Sequence, residues 1–166
     1  MLSELRDEMC AALAARTPLR IVGGDTKRDW WRTRAIVPLA LGRLRGVVAY
    51  QPSELVITVY AGTPLREVQQ ALAERHQMLG FEPPETGADS TIGGVVASGI
   101  SGPSRPYRGA VRDFVLGVRL LAPEGEPLRF GGQVIKNVAG YDVSRLNAGA
   151  WGRLGPIVEI SLRVIP

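Results

Sequence analysis

The sequence predicts an α+β fold, rich in strands, with three long glycine-bearing loops. Three observations predict it. Leu55–Ala61, Phe114–Ala122 and Ile157–Ile165 read as strands, while Leu2–Leu13 and the run after Thr63-Pro64 carry helical apolar spacing. The 20 glycines are bunched, not spread, and make up about 12% of the chain against a usual ~7%.

Taken in order, Leu2, Leu5, Met9, Ala12 and Leu13 form one helical stripe, with Ser3 as N-cap and Pro18 beyond the end. Leu19–Val22 is a short strand running into Gly23-Gly24-Asp25-Thr26-Lys27. A second strand pair is expected near Ala35–Leu39 and Gly46–Tyr50. In Leu55–Ala61, Leu55, Ile57, Val59 and Ala61 share one face. Thr63 and Pro64 then open a helix as N-cap and N1, with Leu65, Val68 and Leu72 inward and Gly62 at the corner. From Gly80 to Gly109 the chain is loop-like, with one apolar patch at Ile92–Ala97; such a stretch is either disordered or shaped around something. Phe114–Ala122 turns through Pro123–Glu126 into Pro127–Phe130. Val134–Trp151 is polar and glycine-broken, with a short helix around Ser144–Asn147. Ile157–Ile165 closes the fold, with Ile160, Leu162 and Val164 opposing Glu159, Ser161 and Arg163.

Composition excludes several classes. At 45% hydrophobic and 22% charged the chain is an ordinary globular sequence, and its apolar runs are too short for a spanning helix. No secretory leader is visible. One cysteine and one histidine leave no internal disulfide and no cysteine-based metal site. The net charge of +4 divides as +4, −4 and +4 over residues 1–50, 51–100 and 101–166. Lys27, Arg28, Arg32 and Arg34 beside Trp30 and Trp31 could serve nucleic acid, but no nucleic-acid motif accompanies them and a solvated face is the preferred reading. His76 reads as a helix-end residue before a catalytic base, and Cys10 as a half-buried thiol. Tyr107 and Arg108 read as loop surface before substrate contacts, and Asp113 as a strand-entry turn. Asp142 is either an acid–base group or, the preferred reading, a tie to loop amides. Trp151 either stacks on a ring or fills an interface.

Glycines let a ligand approach backbone amides, and successive N–H groups make anion nests. Three loops qualify: Gly23–Lys27, Thr91–Gly102 and Gly149–Gly155. None is a Walker loop or a Rossmann fingerprint. Any one loop alone could be a set of tight turns; three together point to an extended phosphate-bearing ligand.

The residues then become recognisable. Arg20-Ile21-Val22-Gly23-Gly24-Asp25-Thr26-Lys27 resembles the pyrophosphate loop of vanillyl-alcohol-oxidase-like (PCMH-type) FAD-binding domains. Thr91–Gly99, followed by Gly109-Ala110-Val111-Arg112-Asp113, is similar to that family's second flavin loop. Lys136-Asn137-Val138-Ala139-Gly140-Tyr141-Asp142 and Gly149-x-x-Gly152-x-Leu154-Gly155 are similar to its third region. With Tyr60–Leu65, the run resembles the small FAD-binding subunits of bacterial glycolate oxidases over nearly the whole chain.

The resemblance implies a two-lobe FAD-binding domain, 1–48 as a small α/β lobe and 49–166 as a larger mixed sheet with helices, without a substrate or cap domain. It implies non-covalent FAD held by Val22, Gly23, Gly24, Asp25, Thr26, Lys27, Thr91, Ile92, Gly93, Gly94, Ala97, Gly99, Ser101, Gly102, Lys136, Asn137, Gly140, Asp142, Gly149, Gly152, Gly155 and Ile157. It leaves the catalytic residues unassigned. The implied activity is that of an FAD-dependent 2-hydroxyacid (glycolate-type) oxidoreductase component, not competent alone; the alternative is a non-catalytic flavin- or nucleotide-binding scaffold subunit. The implied partners are a second flavin subunit, an iron–sulfur subunit and a small 2-hydroxyacid, without nucleic acid or a transmembrane segment. The implied location is cytoplasmic, peripheral to the inner membrane through partners. Two positions depart from the family pattern. Asp25 stands where relatives often carry Gly or Ser, and a carboxylate beside a diphosphate is unfavourable unless it points away or bonds its own loop. Pro156 replaces an aliphatic residue and removes one N–H donor.

Overall fold

A computed structural model describes residues 1–30, 37–132 and 140–166. Helix α1 (Leu2–Ala14) buries Leu5 and Met9, as its stripe predicts. Its N-cap is Met1, so Ser3 lies inside the first turn and does not cap; the terminal ammonium pairs with Glu4 at 3.5 Å instead. Cys10 is exposed rather than half-buried, its thiol donating to the Glu124 carbonyl at 3.2 Å.

Strand β1 (Leu19–Val22) pairs in parallel with β2 (Val37–Ala40), from Leu19↔Val37 to Val22↔Ala40. The expected pairing of the second and third strands does not form. Between them the chain makes a 3₁₀ turn at Leu41–Arg43 and buries Leu41 and Leu44, which carries β3 (Val47–Gln51) across to pair antiparallel with β4 (Val56–Tyr60). Residues 35 and 36, where the second strand was expected to start, lie outside the described residues.

The larger sheet has six strands, in the order β3-β4-β8-β6-β7, with β5 (Met78–Leu79) beside β8. Strand β6 spans Val115–Leu121, β7 Pro127–Gly131 and β8 Ile157–Ile165. Ile57, Val59, Ile160, Leu162 and Val164 face one core together with Leu65, Val68 and Leu72 of α2 (Leu65–Ala73). Each such side chain removed from water contributes about 1.5–3 kcal/mol. The opposite face of β4 and β8 is polar in sequence yet largely buried. Thr58 and Ser161 share a hydrogen bond at 2.8 Å, Arg119 donates to Glu159 at 3.2 Å, and Arg163 lies 4.8 Å over the Phe114 ring. A second core joins Leu5, Met9, Leu39, Leu41 and Leu44 to Leu121 and Val158 of the large sheet.

Two helix starts differ from expectation. Pro64, not Thr63, is the N-cap of α2. Thr63 is fully buried and ties the preceding corner, donating to the Tyr60 carbonyl at 2.7 Å and accepting from the Gly46 amide at 2.9 Å. The stretch after Thr91, expected as loop, folds as helix α3 (Ile92–Ser98). Two adjacent glycines lower its intrinsic propensity. Tertiary contacts override this: Ile92, Val95 and Val96 are core residues, and Gly93 packs against Ala61, where a Cβ would fall 2.6 Å from the Ala61 carbonyl oxygen. Short helices α4 (Arg105–Arg108) and α5 (Val143–Leu146) complete the chain, α5 replacing the helix expected at Ser144–Asn147 almost in place.

Candidate functional site

A cleft of about 480 Å3 opens where β1 ends, within the range of ligand pockets. Its first wall is the strand end and turn from Leu19 to Arg28. Its second is Thr91 and the exposed side of α3, and its third is Trp151, Gly152, Arg153 and Ile157; Leu41 and Ala61 complete the lining.

The first wall turns sharply because Asp25 is left-handed, with φ +53°. The amides of Gly24, Asp25, Thr26 and Lys27 have no protein acceptor among the described residues. The turn lies hard against the second wall. A Cβ on Gly24 would stand 1.6 Å from the Asp89 carbonyl oxygen, and one on Gly23 would stand 2.3 Å from Thr91 Oγ1. Gly24 therefore serves a close approach of backbone to backbone, and Gly23 a close approach of backbone to the Thr91 side chain. Thr26 adds a hydroxyl contact to Thr86 at 2.9 Å.

The electrostatics favour an anion. Lys27 is half-buried and makes no ion pair among the described residues. Burial holds its ammonium below the usual lysine range. The Asp25 carboxylate is gripped by Arg20 through two hydrogen bonds, of 2.5 and 3.1 Å. Those bonds, against a smaller opposing effect of burial, hold Asp25 below the ordinary carboxylate range and raise Arg20. Asp25 thus bonds its own loop, and its charge is cancelled in place.

The second wall has satisfied its own donors. The amides of Ile92 and Gly93 bond the Thr63 and Ala61 carbonyls at 2.9 and 2.8 Å, and Gly94 bonds Thr91 Oγ1 at 3.2 Å. At the other end of α3, Gly149 and Trp151 donate to the Val96 and Ala97 carbonyls at 3.0 and 2.8 Å.

The candidate residues divide accordingly. Val22, Gly23, Gly24, Asp25, Thr26, Lys27, Thr91, Gly93, Gly94, Ala97, Gly152 and Ile157 line the cleft. Ile92 is a core side chain. Gly99 closes α3 in left-handed geometry against Gly149. Ser101 accepts from the Val111 amide, and Gly102 donates to the Glu82 carbonyl. Asp142 has a structural tie, but to a helix amide rather than the expected loop amides: it caps α5 by accepting from the Arg145 amide at 3.1 Å. Gly140 is exposed, and Gly155 bonds Gly152. Lys136 and Asn137 lie outside the described residues. Sequence reasoning missed Arg20, Ile21, Arg28, Leu41, Ala61, Ser98 and Arg153 as lining residues. Arg20 carried a signal, an opposite charge just across a turn from Asp25. Leu41 and Ala61 carried none, because only the fold brings them there.

The amides and the lysine left without partners among the described residues fit a diphosphate, and the apolar part of the lining fits the rest of a dinucleotide. Comparisons with known proteins agree. A family model described as FAD binding domain matches residues 2–131, which include the first two walls. The chain is 48% identical over 162 residues to glycolate oxidase subunit GlcE of Escherichia coli, covering 98% of this chain and 46% of that protein. It is 32% identical to a D-lactate dehydrogenase of Anaerostipes hadrus, covering 78% of this chain and 27% of that one. It is 29% identical to glycolate oxidase subunit GlcD of Bacillus subtilis, covering 77% and 27%. The chain therefore spans about half or less of the length of these relatives. The fold matches that of a solved alkyldihydroxyacetonephosphate synthase with a TM-score of 0.76 at 22% identity, covering 98% of this chain and 30% of that one. No helix among the described residues is long and apolar enough to cross a membrane. With the model spanning α1 to β7, both glycine-bearing walls included, the chain belongs to the FAD binding domain family, and its cofactor is FAD.

Proposed function

We propose that the chain is the FAD-holding part of a glycolate-type 2-hydroxyacid oxidoreductase. The observation that carries this is the cleft at the end of β1, which Gly24–Lys27 line and where their amides and the Lys27 ammonium have no protein acceptor among the described residues. In this reading they hold the diphosphate, replacing its hydration with fixed dipoles and one cation. Thr91, Gly93, Gly94 and Ala97 form the facing wall, and Gly152 and Ile157 close the third side. Ile92, Gly99, Ser101, Gly102, Gly149 and Gly155 hold the walls in place; Gly140, Asp142, Lys136 and Asn137 belong to the same proposed cofactor region. Residues 1–48 and 49–166 act as its two lobes. Bound FAD supplies a two-electron acceptor for hydride from the α-carbon of a small 2-hydroxyacid.

The chain's own residues orient and enclose the cofactor, and they do not supply acid–base chemistry. Asp25 is the one carboxylate among the lining residues, and Arg20 holds it. No imidazole is among the described lining residues and in this reading the Lys27 ammonium is committed to the diphosphate, so none of these groups is left to take a hydroxyl proton. Substrate oxidation therefore needs a further domain or partners. These are a second flavin subunit and an iron–sulfur subunit of a glycolate oxidase-like assembly in the cytoplasm, at the inner membrane through those partners. The GlcE and GlcD relatives, both named as glycolate oxidase subunits, support that assembly.

The test is the absorption spectrum of the purified chain before and after acid precipitation. Flavin colour released to the supernatant supports non-covalent FAD; a colourless protein that refuses added FAD refutes the reading. Anaerobic glycolate or lactate is then expected to leave the chain's flavin oxidised, and rapid bleaching near ~450 nm, the flavin band, would refute the need for partners.

A further inference from the structure

Arg20 and Asp25 are set apart from the other ion pairs of the protein. Their side chains are 22% and 33% exposed, both line the cofactor cleft, and they join the end of β1 to the one non-glycine left-handed residue of its turn. A left-handed aspartate is tolerated but disfavoured relative to glycine. A carboxylate placed among amides that await an anion opposes that anion. Both difficulties are met by one neighbour. The Arg20 guanidinium takes both carboxylate oxygens, at 2.5 and 3.1 Å, which fixes the side chain in direction as well as in charge. Lys27, two residues further on, is left without a carboxylate partner among the described residues, so its charge stays available to the cleft.

We propose that Arg20 is a positioning residue for the diphosphate. It cancels Asp25 and holds the turn so that the loop presents its amides and Lys27 to the anion. This rests on the reading of the cleft as the FAD site. Without Arg20 the Asp25 carboxylate has two alternatives: to face the diphosphate, or to recruit Lys27 or Arg28 as a substitute partner. Either one removes positive potential from the cleft. Without Asp25, Arg20 becomes a surplus cation beside the same anion. The two single changes therefore act in opposite directions, as charge compensation requires and as a purely structural brace does not.

The experiment is fluorescence titration of FAD into the 166-residue chain and three variants, Arg20→Gln, Asp25→Asn and the double variant, with thermal unfolding recorded for each. Asparagine is chosen because it tolerates left-handed geometry. From the Coulomb interaction of neighbouring charges near a protein surface, Arg20→Gln is expected to weaken FAD about tenfold or more, and Asp25→Asn to tighten it about threefold. The double variant returns to within about threefold of wild type. If both single changes weaken FAD and the double is no better than Arg20→Gln, the pair is only a brace and the proposal is overturned. An Arg20→Gln variant as tight as a wild type that binds overturns it as well, while leaving the FAD site intact. A wild type that takes up no FAD overturns both readings together. Should Arg20→Gln fail to fold, the sign of the Asp25→Asn change and the recovery of the double variant still decide.

Discussion

Replacing Gly24 with alanine tests whether the first two walls meet as described. The added Cβ would lie 1.6 Å from the Asp89 carbonyl oxygen and 2.5 Å from its carbon, both main-chain atoms with no side-chain freedom to yield. Restoring an ordinary contact needs the turn and the 89–91 segment to part by roughly 1.5–2 Å. Overpacking of this kind costs about 1–3 kcal/mol, which in a chain of this size lowers the melting temperature by roughly 3–10 °C. The same displacement separates the open amides from the facing wall, so FAD affinity is expected to fall by about tenfold or more. Gly94→Ala is the matched control. Its Cβ meets only Thr91 Oγ1 at 3.3 Å and Lys27 Nζ at 3.9 Å. Within a helix alanine is favoured by about 0.8–1 kcal/mol, so stability is kept or raised. Circular dichroism melts and fluorescence titration with FAD measure both effects. A Gly24→Ala protein that melts and binds like wild type, or a Gly94→Ala protein that loses more stability than Gly24→Ala, would refute this account of the wall contact.

Two further outcomes follow from the cleft and the core. Burial lowers Lys27, and a bound diphosphate favours its charged form. FAD affinity is therefore complete at neutral pH and falls as pH rises through the depressed lysine pKa. Arg20 and Asp25, the one raised and the other lowered by their mutual hydrogen bonds, keep their charge over that range. Titration between about pH 7 and 10 should therefore show a slope that Lys27→Met and Lys27→Arg both flatten, the arginine at retained affinity; a slope unchanged by either would refute the assignment. In the core, Leu72→Ala removes a fully buried side chain. It should cost about 2–5 kcal/mol in denaturant unfolding, with FAD affinity nearly unchanged once folded; a loss under about 1 kcal/mol would contradict the packing of α2 on the sheet.

Much of the fold was legible where periodicity and burial agree. Leu19–Val22, the β4 and β8 runs and the Leu65, Val68, Leu72 face of α2 appear where the spacing puts them. The failures have physical causes. Helix α3 was hidden because Gly93 and Gly94 read as loop, whereas Gly93 is there to let the helix lie on Ala61. The pairing of β2 was misassigned because neighbours in sequence usually pair, and here buried Leu41 and Leu44 redirect the chain. In the site, the Gly23–Lys27 turn was legible from its glycines. The reason Asp25 is acceptable there was not, because it depends on where Arg20 points. Ser101 and Gly102 looked like ligand contacts by composition, yet they spend their polar groups on Val111 and Glu82.

The bonding of α3 at both ends has a dynamic consequence. Its leading amides hang from the Ala61 and Thr63 carbonyls, and its trailing carbonyls carry Gly149 and Trp151. A seven-residue helix held this way is a strut between distant parts of the chain, and it does not open without releasing both anchors. Amide exchange in α3 should therefore rise and fall in step with that of Gly149 and Trp151 as one cooperative unit. A ligand bridging the walls slows them all together, so the loops that look most pliable in composition behave as parts of a single rigid frame.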